Sequence, residues 1–529
     1  MPVPTSSVDY KRLIICCDGT WQSSDGATQY SASNVTRLAR AIAHSDVLNG
    51  AEIQQIVYYQ SGVGSEAMTG IAAGIQGSVG NGLDENVVEA YNFVVNNWEP
   101  AGKDSPADEL FLFGFSRGAY TARCLAGLID CVGVLPKTDM DRFHELYARY
   151  QSNQSAELIK EKEAGILGRS TRIKVVGVWD TVGSLGVPEY YLVKKFNWNA
   201  KHKFHRASLC HSVDHAFQAL AIDEHRFPFA PCVWHLPKDG HRVPSMPSST
   251  NLLQCWFPGF HINVGGGSTE SLPPKDKKGK LRVDKAGNPL GPDGLTDMEQ
   301  LANISLFWML DLISPFLVLD KTYLDSLIAK NTAAITSLPE KPRLEGKEYA
   351  KSWFVSYPPV RSGWALGPFK DPFAGEMMAL GSEHRMPGQY KLEDDNEADK
   401  DHVAKDTYEM MHPSVRFRMR YLGPTTGTNE WNPESLKHFK LRAGATPDGS
   451  WAWAKGNPEA PLRTGWEWVK TVSGSQRVVI PEYKMMEGGW EQKLARTCPN
   501  KGFDGKVPPD PLVEINYDPT GAEAAKYNA

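Results

Sequence analysis

No Cys-x-x-Cys pair occurs in this sequence, no apolar run is long enough to span a bilayer, and neither sign of charge dominates. The eight cysteines (16, 17, 124, 131, 210, 232, 255 and 498) lie in part within apolar runs such as Leu13-Ile14-Ile15-Cys16-Cys17. That placement predicts buried thiols of a reducing compartment rather than a disulfide framework. The greasiest stretch, 304–319, contains Asp311 and Pro315 and falls short of the ~20 apolar residues a spanning helix needs, so no transmembrane segment is expected. With 57 Lys+Arg against 62 Asp+Glu the net charge is −5, which gives no global attraction to nucleic acid or an anionic membrane. Small or neutral substrates fit better. Residues 1–11 are polar and lack the charged start and apolar stretch of a secretory signal, which predicts a cytoplasmic setting. The glycine-rich stretch 70–82 has no Gly-Lys-Ser/Thr ending, which argues against a nucleotide phosphate loop. No repeat on the roughly 20–50-residue scale of solenoids and propellers is visible. Neither a metal nor a cofactor is called for.

What the chain does have is bulk: 529 residues at 41% hydrophobic, enough for one large core with a second region or long insertions. The first 265 residues alternate short aliphatic runs (13–17, 53–59, 110–113, 173–179, 232–235 and 254–257) with helical stretches. Of the latter, 83–98 places Leu83, Val87, Tyr91, Val94, Val95 and Trp98 near one face, and 116–129 is a second helix. This alternation predicts an α/β fold, a mostly parallel sheet with helices on both faces. A solvated Pro/Gly/Lys/Asp insertion is expected at about 268–296, an apolar helix at 297–319 and an acidic loop at 393–401. The expected division is a catalytic core at 11–320 and a C-terminal extension at 321–529, helical and then β-rich, acting as a cap or appendage.

The chemistry is concentrated at Gly114-Phe115-Ser116-Arg117-Gly118. A buried-strand run, Glu109 to Phe113, leads straight into it, and a helix follows, which is the context a nucleophile elbow requires. The central residue must adopt a strained backbone to raise its hydroxyl above the sheet, and Gly114 and Gly118 remove the side chains that would collide. Ser116 is therefore the candidate nucleophile, with the Arg117 N–H at the helix start as an oxyanion donor.

An acid ends the strand Val175-Val176-Gly177-Val178-Trp179-Asp180, where an imidazole-orienting residue belongs; a turn-capping role is its alternative. The candidate base is His261, placed on a loop in Pro258-Gly259-Phe260-His261-Ile262-Asn263-Val264-Gly265-Gly266-Gly267. Its rivals by chain order, His211, His215, His225 and His235, sit within regular periodicity. Cys17-Asp18-Gly19-Thr20-Trp21 opens the first strand into a polar turn, so Gly19 or Thr20 is a candidate second oxyanion donor, with an Asx turn at Asp18 compatible with that role. Asp-Gly-Thr is also part of the aspartyl-phosphatase pattern D-x-D-G-T, but the nucleophilic position is occupied by Cys16.

These motifs, with Gly118-Ala119-Tyr120, Val178-Trp179-Asp180-Thr181-Val182-Gly183, Ala221-Ile222-Asp223-Glu224-His225-Arg226 and Trp256-Phe257-Pro258-Gly259-Phe260-His261, resemble the DUF2235 family, the catalytic domain of Tle1-like phospholipase effectors of type VI secretion, in its fungal variety. The resemblance covers about residues 11–315. It implies an α/β-hydrolase fold, a triad of Ser116, Asp180 and His261, and hydrolysis of esters, in some members of phospholipids. Ile262-Asn263 stand where the family usually carries Ser-Asp. A small-molecule or lipid ester is the expected substrate, with peripheral membrane contact and no nucleic-acid partner. The competing expectation is a non-catalytic hydrolase-fold scaffold that binds a ligand or protein.

Overall fold

The computed structural model describes residues 10–19, 32–48, 50–62, 81–103, 105–152, 154–182, 209–236, 250–268, 300–338, 340, 360–373, 378, 381–390, 407–424, 430–443, 463–473, 476–503 and 505–516. The expected insertion (beyond residue 268), the acidic stretch 393–401, Thr20 and Gly183 lie outside the described residues.

The strands are β1 (Arg12–Cys17), β2 (Ser45–Leu48), β3 (Ala51–Gln60), β4 (Glu109–Phe115), β5 (Ile173–Trp179), β6 (Val213–Ala221), β7 (Asn251–Phe257), β8 (Glu409–Met411), β9 (Lys440–Ala443), β10 (Arg463–Ser473) and β11 (Gln476–Tyr483). They form one sheet in the order β2-β3-β1-β4-β5-β6-β7-β8-β11-β10-β9. From β3 through β8 every pairing is parallel, which makes this an α/β fold with a mostly parallel sheet. Every residue of β1 is buried, as a strand with parallel neighbours on both sides requires.

The helices are α1 (Asn34–Ala41), α2 (Asn81–Asn97), α3 (Arg117–Val132), α4 (Phe143–Gln151), α5 (Ser155–Glu163), α6 (His261–Gly265), α7 (Gln300–Ile313), α8 (Lys321–Thr336), α9 (Pro413–Leu422), α10 (Trp490–Thr497) and α11 (Leu512–Ile515). Strand periodicity splits the core in two. Ile14, Cys16, Phe111, Phe113 and Phe115 pack on one face with side chains of α1, α7 and α8. Leu13, Ile15, Cys17, Leu110 and Leu112 pack on the other with those of α2, α3 and α4.

Topology places a site. From β1 the chain moves to β3 on one side, then crosses to β4 on the other. The strand order therefore reverses between β1 and β4, and outside the carboxyl ends of such a pair lies the crevice where α/β sheets bind ligands. Residues 18–19 follow β1 there, and Ser116 follows β4.

Three expectations are corrected. Residues 232–235 are not a strand; the position is taken by β6, whose register beside β5 runs from Ile173↔Val213 to Trp179↔Ala219. Gln218 on β6 and Gln254 on β7 instead hold the 232–235 backbone by side-chain bonds to Cys232 O (3.0 Å), Trp234 N (2.8 Å) and Trp234 O (2.8 Å). The apolar helix ends at Ile313 rather than 319, because Pro315 cannot continue it. Phe307, Trp308, Met309 and Leu310 are fully buried in the core. His261 opens the short helix α6 rather than lying on a loop.

Beyond residue 320, β8 pairs with β7 and β11 with β8, so the C-terminal strands lengthen the same sheet. All eight cysteines are thiols, none in a disulfide. Among the described residues no helix is long and apolar enough to cross a membrane.

Candidate active site

Ser116 sits between β4 and α3 with φ 58 and ψ −123, a left-handed conformation that costs a non-glycine residue about 1–3 kcal/mol. The turn closes because two glycines let backbone approach backbone. A Cβ on Gly114 would lie 2.4 Å from Gly118 O, and one on Gly118 would lie 2.2 Å from Cys17 O. Arg117 is the first residue of α3, which places its N–H at the N-terminus of that helix, the end whose dipole favours negative charge. The hydroxyl-bearing residue is 7% exposed.

Asp180 follows β5 with φ 43 and is completely buried. Its Oδ2 lies 2.6 Å from His261 Nδ1, and its Oδ1 accepts from Ala221 N at 2.9 Å. Burial works to raise this carboxyl, but Arg385 and His261 hold it well below the usual carboxylate range. The His261 ring lies between Phe115, the residue before Ser116, at 4.7 Å between centroids, and Phe229, edge-on at 4.9 Å. The imidazole is thus packed against the elbow itself. Gly265 makes room for this, since a Cβ there would fall 1.9 Å from the Phe115 ring. Of the candidate histidines it is His261 that meets Asp180. His215 contacts Asn251 at 3.1 Å, His225 contacts Ser382 and Asp371, and the His235 carbonyl accepts from Leu209 N.

The loop after β1 packs on the elbow: a Cβ on Gly19 would lie 2.7 Å from Phe115 and 3.4 Å from the Ser116 Cβ. The Gly19 N–H donates to Asp18 Oδ1 at 2.7 Å. The Asp18 carboxylate thus holds the turn that carries this amide beside the elbow. Asp18 is buried and also accepts from Ser33, Thr36 and Tyr59 through Oδ2 at 2.6–2.8 Å. Burial raises its carboxyl above the ordinary range, and these hydroxyls work against that rise. Among the described residues no group of three or more His, Cys, Asp or Glu is placed to hold a metal ion.

Residues 11–312 match the family described as "T6SS, Phospholipase effector Tle1-like, catalytic domain". The chain belongs to this family. It is 27% identical over 284 residues to an uncharacterized protein of Saccharomyces cerevisiae, a match spanning 47% of this chain and 38% of the yeast protein. It also resembles the solved Tle1 effector bound to the VgrG spike of the type 6 secretion system (17% identity, 65% of this chain and 83% of that one, TM-score 0.32). A further resemblance is to an uncharacterized protein from Pseudomonas aeruginosa (15% identity, 65% and 58%, TM-score 0.29).

Within this Tle1-like domain, Asn263 has a local role. Its Oδ1 accepts the Phe260 N–H at 2.9 Å, capping the start of α6 as an Asp carboxylate would. The contact ties the third residue of the helix carrying His261 back to Phe260, just ahead of it. Glu224 does more than its motif position suggested. It accepts the His261 N–H at 3.2 Å and binds Arg226 through both oxygens at 2.9 and 2.7 Å. Burial opposes its ionisation, yet the Arg226 fork keeps its carboxyl below the ordinary range. Arg385, bonded to both oxygens of Asp180 at 2.5 and 2.9 Å, was not visible in the sequence: it lies 205 residues from its partner with no local motif around it.

Proposed function

We propose that this chain is a serine hydrolase of carboxylic esters, with lipid esters as its substrate class, working through an acyl-enzyme on Ser116. The observation that carries this reading is the buried Asp180–His261 pair packed against a serine whose backbone is strained outward at a helix N-terminus. In the mechanism, His261 removes the Ser116 proton as the oxygen attacks the acyl carbonyl, while Asp180 fixes the imidazole and stabilises its charged form. The Arg117 N–H receives the oxyanion together with that of Gly19 or Thr20. The protonated imidazole then passes its proton to the leaving alcohol. Water, deprotonated in turn by His261, attacks the acyl-enzyme and releases the acid.

The aromatic flanks of His261 favour a dry, apolar site suited to an acyl chain. Membership in a phospholipase family supports lipid esters reached by peripheral contact with a membrane. We place the protein in the cytoplasm, with residues 321–529 completing the site built by 11–320. The test is turnover of p-nitrophenyl esters of graded chain length beside phospholipid vesicles. The protein is expected to cleave esters, and Ser116→Ala to lose at least about 1,000-fold. Full turnover by Ser116→Ala would remove the proposal.

A further inference from the structure

Residues 381–385 run beside 225–227. Phe227 N donates to Gly381 O at 3.1 Å, Glu383 N donates to His225 O at 2.8 Å, and Arg226 and Ser382 form an antiparallel bridge. The His225 ring fastens this strap from the side, with Nδ1 2.7 Å from Ser382 Oγ and Nε2 2.9 Å from Asp371 Oδ2. The strap lies beyond the family-matched residues 11–312, yet it carries Arg385 to the centre of the site, where that side chain is 3% exposed.

All four Nη hydrogens of Arg385 are used. Nη1 donates to Asp180 Oδ1 (2.5 Å) and Ala221 O (2.7 Å), and Nη2 donates to Asp180 Oδ2 (2.9 Å) and Phe229 O (2.8 Å). One planar cation therefore grips the carboxylate, the end of β6 and the residue whose ring stands edge-on to His261. We infer that Arg385 is a positioning residue supplied by the C-terminal extension, which fixes Asp180 against His261 and sets the charge that the imidazole faces when it takes the Ser116 proton. This rests on the Ser116–His261–Asp180 reading above.

The electrostatic consequence has a definite sign. In a triad whose acid has no cationic partner, the full carboxylate charge stabilises the imidazolium. Here a guanidinium already shares that charge, so the carboxylate stabilises a protonated imidazole less than an unshared one would. The other ionisable groups around the pair do not cancel this: Glu224, behind the His261 backbone, is forked by Arg226, and burial drives Tyr390 upward, keeping it neutral. His225 is occupied with Ser382 and Asp371.

The test uses the full chain. It follows the pH dependence of fluorophosphonate labelling and of kcat/KM on a short-chain p-nitrophenyl ester, for the unaltered protein, Arg385→Met and Arg385→Lys, with thermal unfolding as the control for folding. Arg385→Met is expected to lose about 10- to 100-fold in rate, by analogy with the outer-shell partners that orient metal-bound histidines. Its acid limb should move up by about one pH unit. Arg385→Lys should keep the acid limb in place but recover only part of the rate, since an ammonium cannot make the fork. A folded Arg385→Met with an unmoved acid limb overturns the inference, whatever its rate. If Arg385→Met does not fold, Arg385→Lys decides: full rate in that variant shows that the fork is not needed and also overturns it. An unaltered protein that neither labels nor turns over ester removes the Ser116 reading instead, a result distinct from any of these.

Discussion

At the scale of single residues, the structure relies on side chains kept in states that water would not favour. His215 on β6 is an example outside the site. Burial lowers it to about 4, with Lys174 and Arg172 acting in the same direction and Asp214 against them. Because its folded value lies below the ordinary 6.5, the unfolded chain takes up a proton that the folded chain refuses between pH 6.5 and 4. Its contribution is intact above 6.5 and is lost as the pH falls, by up to about 1 kcal/mol per pH unit, less at a partly solvated ring. Urea unfolding across that range should show a steeper loss for the unaltered protein than for His215→Gln; equal slopes would contradict the assignment. The strained turn at Ser116 and the meeting of Asp180 with His261 have local marks in the sequence: a glycine on either side of the elbow, an acid ending an apolar run, a histidine before three glycines. Arg385 has no such mark, because its contact with Asp180 spans 205 residues.

At the scale of elements, short apolar strands with a clear ending were read well and the polar-flecked ones were not. Residues 173–179 form β5 with the expected bounds, since Ile173, Val175, Val176, Val178 and Trp179 carry an apolar run up to Asp180. β6 contains Asp214, His215 and Gln218 among its apolar residues, and the polar side chains hid it. Gln218 is fully buried, where Thr181 Oγ1 donates to its Oε1 at 2.6 Å, so a polar residue in that strand is a partner rather than a break. Helix α6 was missed because five residues are too few to show a period. Its start depends on Asn263, and this can be tested directly. Asn263→Asp should preserve folding and ester turnover to within about twofold, whereas Asn263→Leu, which leaves the Phe260 N–H without its acceptor, should cost about 1–2 kcal/mol and lower activity with it. Thermal unfolding and initial rates check both. Equal stability of the Leu variant would show that the cap does not matter.

At the scale of the whole molecule, the fold and the chemistry have one origin. A sheet whose order reverses between β1 and β4 opens a crevice over those strand ends, and the chain delivers Ser116 there from β4, Asp180 from β5 and His261 from the helix after β7. The parallel core could be read from alternating strands and helices. The continuation of the sheet through β8 and β11, and the return of the chain from beyond residue 320 to grip Asp180, could not, because both depend on long-range pairings with no local pattern. The central claim is that this arrangement makes one serine hydroxyl nucleophilic. The most direct measurement is to treat the folded protein with a fluorophosphonate and locate the adduct by peptide mass spectrometry. The account predicts a single rapid adduct on Ser116, absent in His261→Ala; no adduct on folded protein, or one on another residue with Ser116 unmodified, would contradict it.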